Sequence, residues 1–273
     1  MTEVGGKAVY ITGGSSGMGF AVGKKLAALG AHIAIFDRSA GGDALPQIEA
    51  ARRAPEQRVA AYTLNVADRD AVLATVKRAV TKFGAPDIVI HMAGIGGAGE
   101  LASMPFEQFD RIMQVNVYGT RHVVEAVLPA MLARGSGKIV LVGSMGGIVP
   151  VFGYTAYGGS KFAVVGMAQC LRYELKPHGV SVACFCPGEV DTPGLAAERQ
   201  NLHPATAALK KIGGTMPVDE VIQGLVDGIR NDEFLIIPGL KVKLTYWAHR
   251  ITPPWLWHTV TDAIVADALR RAK

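Results

Sequence analysis

The chain contains no uninterrupted apolar stretch approaching the ~20 residues of a membrane-spanning helix. Its only cysteines are Cys170, Cys184 and Cys186, too few for a disulfide framework and wrongly spaced for a zinc site. Cys184 and Cys186 lie two positions apart in an apolar segment, so we expect both on one face of a strand, as small core residues. We predict no metal site.

The chain also lacks any block of like charges and any low-complexity segment. Lysine and arginine are scattered, so the net charge of +5 favours a solvent-facing basic surface over a nucleic-acid-binding patch. The first residues are polar and include no apolar targeting segment, which makes the cytoplasm the expected location.

Apolar strand-like segments alternate with helical segments along the whole sequence. This alternation predicts a single-domain α/β fold, a Rossmann-type doubly wound parallel sheet with helices on both faces. The 273 residues are enough to bury one large core, and no linker divides them. We expect one domain over residues 1–273, with 240–273 as a Trp-rich extension. The predicted strands are Ala8–Thr12, His32–Phe36, Arg58–Thr63, Asp87–His91, Lys138–Val142, Ser181–Cys186 and Phe234–Ile237.

A glycine-rich loop follows the first predicted strand. Gly13, Gly17 and Gly19 stand in the pattern Gly-x-x-x-Gly-x-Gly, directly before a helical segment. Glycines here allow the main chain to approach a pyrophosphate, and the helix that follows offers free N–H groups to it. A glycine-rich turn without a ligand is the alternative for this motif taken by itself.

Asp37 ends the second predicted strand, about 20 residues beyond the glycine loop. A carboxylate there can accept hydrogen bonds from an adenosine ribose and repels a ribose 2′-phosphate, which favours NAD(H). Arg38 follows directly, and its guanidinium could bind that phosphate instead, so NADP(H) stays open.

Tyr157 and Lys161 lie four positions apart, with Ser144 thirteen residues upstream. On a helix, this spacing places the phenol and the ammonium on one face. We expect the ammonium to lower the pKa of the phenol, which would make it a proton donor or acceptor near neutral pH. An exposed helical pair is the alternative for Tyr-x-x-x-Lys alone.

Together these residues resemble the short-chain dehydrogenase/reductase family, from about Lys7 to Gly239. The loop Thr12–Gly19 is similar to the cofactor loop of that family, and Met92–Gly94 to its short motif after the fourth strand. The segment Pro187–Thr192 is similar to the one beside the nicotinamide. Asn65 departs from the family, which more often has aspartate there.

The resemblance implies four catalytic residues: Asn116, Ser144, Tyr157 and Lys161. Tyr157 would exchange a proton with the substrate oxygen, Ser144 would orient that oxygen, and Lys161 would hold the nicotinamide ribose. Asn116 would kink its helix and hold a water that connects Lys161 to solvent. The cofactor residues it implies are Gly13, Ser15, Ser16, Gly17, Met18, Gly19, Asp37, Arg38, Asn65, Val66, Ala93, Gly94, Tyr157, Lys161, Pro187, Gly188, Val190 and Thr192.

All three tryptophans lie in the C-terminal extension, between Lys241 and Trp257, interleaved with lysine, histidine and arginine. Aromatic side chains beside cations can rest at a membrane interface or line an oily substrate entrance. Subunit packing is the alternative, since aromatic residues also anchor oligomer contacts.

The expected reaction is hydride transfer between a nicotinamide cofactor and a hydrophobic secondary alcohol or ketone. Segments around Tyr157, Leu171 and Asp191 are similar to the branch of the family containing 3-ketodihydrosphingosine reductases, which implies an alternative: NADPH-dependent reduction of a long-chain β-keto amine at a membrane. Residues 193–202 would form the substrate-covering loop. A non-catalytic membrane-associated nucleotide-binding protein is an alternative of another class.

The resemblance also implies a homodimer or homotetramer. The helices containing Phe106–Met131 and Tyr157–Lys176 would form the contact between subunits.

Overall fold

A computed structural model describes residues 3–39, 41–199 and 202–272. Its strands are β1 Ala8–Thr12, β2 His32–Asp37, β3 Val59–Thr63, β4 Ile88–His91, β5 Gly137–Val142, β6 Val180–Phe185, β7 Glu189–Val190, β8 Thr215–Met216 and β9 Leu235–Ile236. Its α-helices are α1 Gly17–Ala28, α2 Ala44–Ala50, α3 Arg69–Phe83, α4 Phe106–Met113, α5 Gly119–Arg134, α6 Thr155–Leu175, α7 Pro193–Arg199, α8 Pro204–Lys210, α9 Val218–Arg230, α10 Leu240–Ile251 and α11 Pro254–Arg271.

Seven of these strands form one parallel sheet in the order β3-β2-β1-β4-β5-β6-β9. The predicted doubly wound α/β fold is therefore confirmed, and each predicted strand overlaps an observed one. The two-residue strands β7 and β8 form a separate pair that the apolar pattern did not predict, because two residues are too few to show a period.

The sheet is covered on both faces, which explains why its strands are apolar throughout. All five residues of β1 are buried. Helices α3, α5 and α6 pack on one face through residues such as Val76, Val127 and Val164. Helices α1 and α9 pack on the other through residues such as Leu26 and Leu225. Cys184 and Cys186 are buried in the first of these layers with their Sγ atoms 3.6 Å apart, which confirms their prediction as core residues.

The strand order reverses between β1 and β4, since β2 and β3 lie on one side and β5 and β6 on the other. Loops at the carboxyl ends of β1 and β4 diverge at such a point and leave a crevice. Thr12 and His91 end these two strands, and Thr12 Oγ1 lies 2.8 Å from His91 Nδ1. The fold thus places a binding crevice directly above this pair.

After β9 the chain continues as two helices, α10 and α11, and α11 packs against α8. In the part of the chain that the structure describes, no helix is both long enough and apolar enough to cross a bilayer.

Candidate active site

The loop between β1 and α1 has the close-packed backbone predicted for a phosphate cradle. Gly13 and Gly17 have φ values of +67° and +51°, in the left-handed region that favours glycine. A Cβ on Gly19 would lie 2.0 Å from the Gly13 carbonyl oxygen. The hydroxyl of Ser15 is buried without a hydrogen-bond partner among the described residues. This loop fits a ligand that brings its own hydrogen-bonding groups.

Asp37 lies beside that loop, at the end of β2. Its Oδ2 accepts a hydrogen bond from the Ser15 backbone N–H at 3.1 Å. Arg38 follows as an exposed side chain. Both residues line a cavity of about 670 Å³ at the strand-order reversal. The predicted cofactor residues that line it are Gly13, Ser16, Gly17, Met18, Gly19, Asp37, Arg38, Asn65, Val66, Ala93, Gly94 and Thr192.

Ser144 and Tyr157 lie on different elements that a tight backbone contact brings together. Ser144 follows β5 and caps a 3₁₀ turn over Met145–Gly147, and its Oγ accepts from the Gly146 N–H at 3.0 Å. Gly147, at the end of that turn, packs against α6: a Cβ there would lie 2.6 Å from the backbone of Lys161. The predicted helical spacing of Tyr157 and Lys161 is confirmed, since both lie in α6.

Burial dominates the electrostatics of this group. Burial raises the pKa of Tyr157, while a hydrogen bond from Ser144 favours the phenolate and partly opposes that shift. Burial also lowers the pKa of Lys161 to about 8. The Lys161 ammonium donates to the Val142 carbonyl at 2.9 Å and lies 5.8 Å from the Tyr157 ring centroid.

These values differ from the expectation that Lys161 lowers the pKa of Tyr157. The ammonium bonds a backbone carbonyl, and Ser144 is the group that favours the phenolate. Desolvation outweighs that effect, so the phenol holds its proton more tightly than a phenol in water.

Asn116 lies in a π-helical turn, Gln114–Tyr118, between α4 and α5. This turn confirms the expected distortion of its helix. The Asn116 side chain is buried and fully engaged: Oδ1 accepts from the Ile95 N–H, and Nδ2 donates to the Ile95 carbonyl and to Ser160 Oγ. Ser160 in turn donates to the Tyr157 carbonyl at 2.6 Å, so Asn116 supports the first turn of α6.

A second cavity, of about 360 Å³, opens directly over Ser144 and Tyr157. Much of its wall is apolar, with Met145, Val149 and Leu195 among the side chains. It shares Met18, Gly94 and Thr192 with the first cavity, so the two cavities adjoin. The remaining predicted residues that line it are Pro187, Gly188, Val190, Ser144, Tyr157 and Lys161.

Two predicted residues line neither cavity, Ser15 and Asn116. They contact residues that do, because the Ser15 N–H donates to Asp37 and the Asn116 amide bonds the backbone of Ile95. The expected substrate-covering loop, 193–202, supplies Gly194, Leu195 and Glu198 to the second cavity. Its positions 200 and 201 lie outside the described residues.

Several polar residues of the site were missed by the sequence analysis. Tyr154, Glu189, Glu198 and Lys210 line the second cavity and contact one another. They come from four separate segments, and no motif connects them. His91 was also missed: it is buried below the crevice, and burial together with Lys161 lowers its pKa to about 3, which keeps it neutral.

The three C-terminal tryptophans divide between two environments. Trp257 lines the second cavity, as do Val242 of α10 and Thr261 of α11. Trp247 and Trp255 point outward and are 58% and 69% exposed. The extension therefore forms part of the second cavity with one face and an exposed aromatic surface with the other.

The glycine loop, the unpartnered Ser15 hydroxyl and the acidic residue after β2 together fit a dinucleotide. The loop can hold a pyrophosphate at the N-terminus of α1, and Asp37 can accept from a ribose hydroxyl. Because the two cavities adjoin, a dinucleotide bound in the first could extend its nicotinamide towards Tyr157 and Ser144.

Comparison with curated proteins identifies sphingoid-base reductases as relatives. A 3-dehydrosphinganine reductase of Arabidopsis thaliana is 34% identical over 84% of this chain and 68% of its own length. A 3-ketodihydrosphingosine reductase of Bos taurus is 32% identical over 81% of this chain and 68% of its own.

Solved structures show the same architecture. A short-chain dehydrogenase/reductase of Burkholderia phymatum in complex with NAD is 26% identical, with a TM-score of 0.78 over 92% of this chain and 94% of that one. Levodione reductase is 27% identical, with a TM-score of 0.75 over 85% of this chain and 95% of that one.

The short chain dehydrogenase family model matches residues 7–203, the region that contains the glycine loop, Asp37, Ser144, Tyr157 and Lys161. This match covers most of the chain, and it agrees with the sheet order and with the relatives. The chain therefore belongs to the short-chain dehydrogenase/reductase family and is an NAD(P)-dependent oxidoreductase.

Proposed function

We propose that this enzyme transfers hydride between NAD(H) and a hydrophobic secondary alcohol or ketone, using Tyr157, Ser144 and Lys161. The observation that carries the proposal is the apolar cavity that opens directly over Ser144 and Tyr157. Apolar side chains form much of the wall beside Ser144 and Tyr157, and this suits a substrate whose reacting group is attached to a hydrocarbon body.

Each polar group has a defined task in this proposal. The Tyr157 hydroxyl donates a proton to the ketone oxygen, and Ser144 Oγ hydrogen-bonds the same oxygen and stabilises the charge that develops on it. Lys161 binds ribose hydroxyls and keeps a positive charge near the phenol. When bound, the nicotinamide supplies the hydride.

In this proposal Asn116 is a positioning residue and does not contact the substrate. Its amide holds Ile95 and Ser160, and this contact fixes the turn of α6 that presents Tyr157. We propose further that the neighbourhood of Asn116 and Lys161 holds the water that connects the site to solvent, since a Cβ on Gly94 would contact both side chains.

The electrostatics favour the reductive direction. Because burial raises the pKa of Tyr157, the phenol is protonated at neutral pH and is ready to donate. Alcohol oxidation would need the phenolate as the base, and burial makes that form costly.

The alternative that we propose is a narrower substrate class, a long-chain keto amine. The relatives named as 3-dehydrosphinganine and 3-ketodihydrosphingosine reductases support it, as do the apolar cavity walls. A non-catalytic nucleotide-binding protein is disfavoured, because the catalytic side chains and the substrate cavity are assembled together.

NAD(H) is the cofactor that we propose, because the Asp37 carboxylate lines the first cavity and would repel a ribose 2′-phosphate. Similar solved structures include a complex with NAD and a complex with NADP, so the preference rests on Asp37. NADP(H) binding would require the Arg38 guanidinium, which lines the same cavity, to bind the 2′-phosphate and outweigh the repulsion from the Asp37 carboxylate.

We propose a dimeric or tetrameric assembly through α4, α5 and α6. The exposed side chains Phe106, Leu132 and Phe162 lie on α4, α5 and α6 in turn, and apolar surface of this kind is typical of subunit contacts.

We also propose that the outward face of α10 rests on a bilayer surface. Leu240, Leu244, Trp247 and Ile251 are exposed and follow one another at helical spacing, and Trp255 continues the patch into α11. Helix α10 carries lysines and an arginine but no acidic residue. Aromatic and aliphatic side chains beside cations fit an anionic lipid surface.

Replacement of Tyr157 by phenylalanine is expected to lower ketone reduction by about 10²-fold to 10⁴-fold, because the proton donor is lost. NADH affinity, measured by fluorescence titration, should stay near the wild-type value. Tyr173→Phe, the same change at an exposed tyrosine of α6, is the control and should keep its activity. A Tyr157→Phe enzyme with wild-type rates would remove Tyr157 from the mechanism.

Replacement of Asp37 by asparagine is expected to shift the NADH-to-NADPH affinity ratio towards NADPH by about tenfold or more, since a carboxylate beside a phosphate is repulsive. Wild-type enzyme should bind NADH more tightly. Asp43→Asn, the same substitution at an exposed residue of the next loop, should leave the NADH-to-NADPH affinity ratio unchanged. Tighter NADPH binding by the wild-type enzyme would mean that Arg38 determines the cofactor.

The double variant Trp247→Ser and Trp255→Ser is expected to lose co-sedimentation with vesicles that contain anionic phospholipid, because it loses the aromatic part of the patch. Wild-type binding should weaken as salt is raised. Tyr173→Ser, which removes an exposed aromatic from α6, should still sediment. If the wild-type enzyme does not co-sediment with the vesicles and the double variant differs from it in oligomeric state, the patch is a subunit contact instead.

A further inference from the structure

Part of the wall of the second cavity lies beyond the region that the family model matches. That match ends at residue 203, whereas the C-terminal extension contributes Val242, Thr245, Trp257 and Thr261 to the wall. The first two belong to α10 and the last two to α11. The family motifs give no role to this part of the wall.

The extension is fixed to the catalytic part of the fold by close packing. Val242 is buried, and a Cβ on Gly188 would lie 2.9 Å from Val242 Cγ2. Helix α11 packs against α8, which supplies Leu209 to the same cavity. The Trp257 ring meets the His249 ring edge-on, with 4.9 Å between their centroids, so the indole of α11 is supported by α10. Trp257 therefore has a defined place in the wall.

The extension presents an apolar surface to the cavity. Within their own helices, the Thr245 hydroxyl donates to the Lys241 carbonyl and the Thr261 hydroxyl to the Trp257 carbonyl, each at 3.0 Å. None of the described residues of the extension that line the cavity is charged. The charged residues of the lining come from other elements and are Lys161, Glu189, Glu198 and Lys210. A hydrocarbon chain thus meets the least polar part of the wall at the extension.

Trp257 is the largest side chain of this surface, and an indole offers a broad apolar contact area. It is only partly exposed, whereas Trp255, two positions earlier on the same helix, is 69% exposed and does not line the cavity. Each methylene removed from water strengthens binding by about threefold to fourfold. A chain that reaches the indole therefore gains measurably over a chain that ends before it.

We propose that Trp257 selects substrates by the length of their hydrocarbon body: a long chain lies against its indole, and a short chain ends before it. This inference rests on the proposed ketone reductase function and names a residue that determines specificity at that site. The carbonyl oxygen would face Tyr157 and Ser144, and the chain would run from there along the extension.

Other roles of Trp257 predict different outcomes. If the indole only joins α11 to α10 through its contact with His249, its loss would affect short and long ketones alike. If the indole obstructs the cavity, its loss would favour long ketones.

The test compares a long straight-chain methyl ketone with butanone, as the ratio of their kcat/KM values, without vesicles so that membrane binding plays no part. Trp257→Ala should lower this long-to-short ratio by about tenfold or more, the effect of about two methylenes losing their apolar contact. Trp257→Phe keeps an aromatic ring and should stay closer to the wild-type ratio. NADH binding by each variant is the check that it is folded.

Trp255→Ala removes an exposed indole from the same helix and should leave the ratio at the wild-type value. A second measurement reports the contact itself. The variant with Trp247→Phe and Trp255→Phe retains Trp257 as its single tryptophan. Its fluorescence emission should shift to shorter wavelength when the long ketone binds together with NAD⁺, which cannot reduce it, and should not shift with butanone.

A Trp257→Ala enzyme with an unchanged ratio, a higher ratio or an equal loss for both ketones would overturn the inference and leave the ketone reductase function intact. An emission spectrum that the long ketone does not change would overturn it too. A wild-type enzyme that oxidises neither NADH nor NADPH with either ketone would overturn the proposed function itself.

Discussion

The close contact between Gly147 and the backbone of Lys161 is the constraint on which the site depends. It allows the turn after β5 to lie directly against α6, with no side chain between them. Ser144 begins that turn, and Tyr157 and Lys161 belong to the helix, so this contact sets the separation of the three groups. A substrate oxygen can be held by two hydroxyls at once only if the two backbones approach this closely.

The same close packing buries these groups, and the electrostatics follow from that burial. Burial raises the pKa of Tyr157, lowers that of Lys161 to about 8 and lowers that of His91 to about 3. Each shift favours the neutral form of the group. The site therefore presents a protonated phenol, a neutral imidazole below it and a lysine that changes charge near neutral pH. This combination suits proton donation to a ketone in an environment where each hydrogen bond is strong.

The fold was predictable from sequence because a parallel sheet covered on both faces needs strands that are apolar throughout, such as Ala8–Thr12. The glycine loop, Asp37 and the Tyr157–Lys161 pair were predictable because each is a local pattern with a physical reason for its spacing. The cluster of Tyr154, Glu198 and Lys210 was not, since its members meet only in three dimensions. The raised pKa of Tyr157 was missed for a related reason: sequence spacing shows which charges are near, but not how much water has been removed.

Reduction of ketones of increasing chain length by the wild-type enzyme, followed as NADH oxidation, tests the central claim most directly. If the apolar cavity over Ser144 and Tyr157 binds the hydrocarbon body of the substrate, kcat/KM should rise about threefold to fourfold with each added methylene until the cavity is filled. Equal values for short and long ketones, or no oxidation of NADH or NADPH with any of them, would contradict the account.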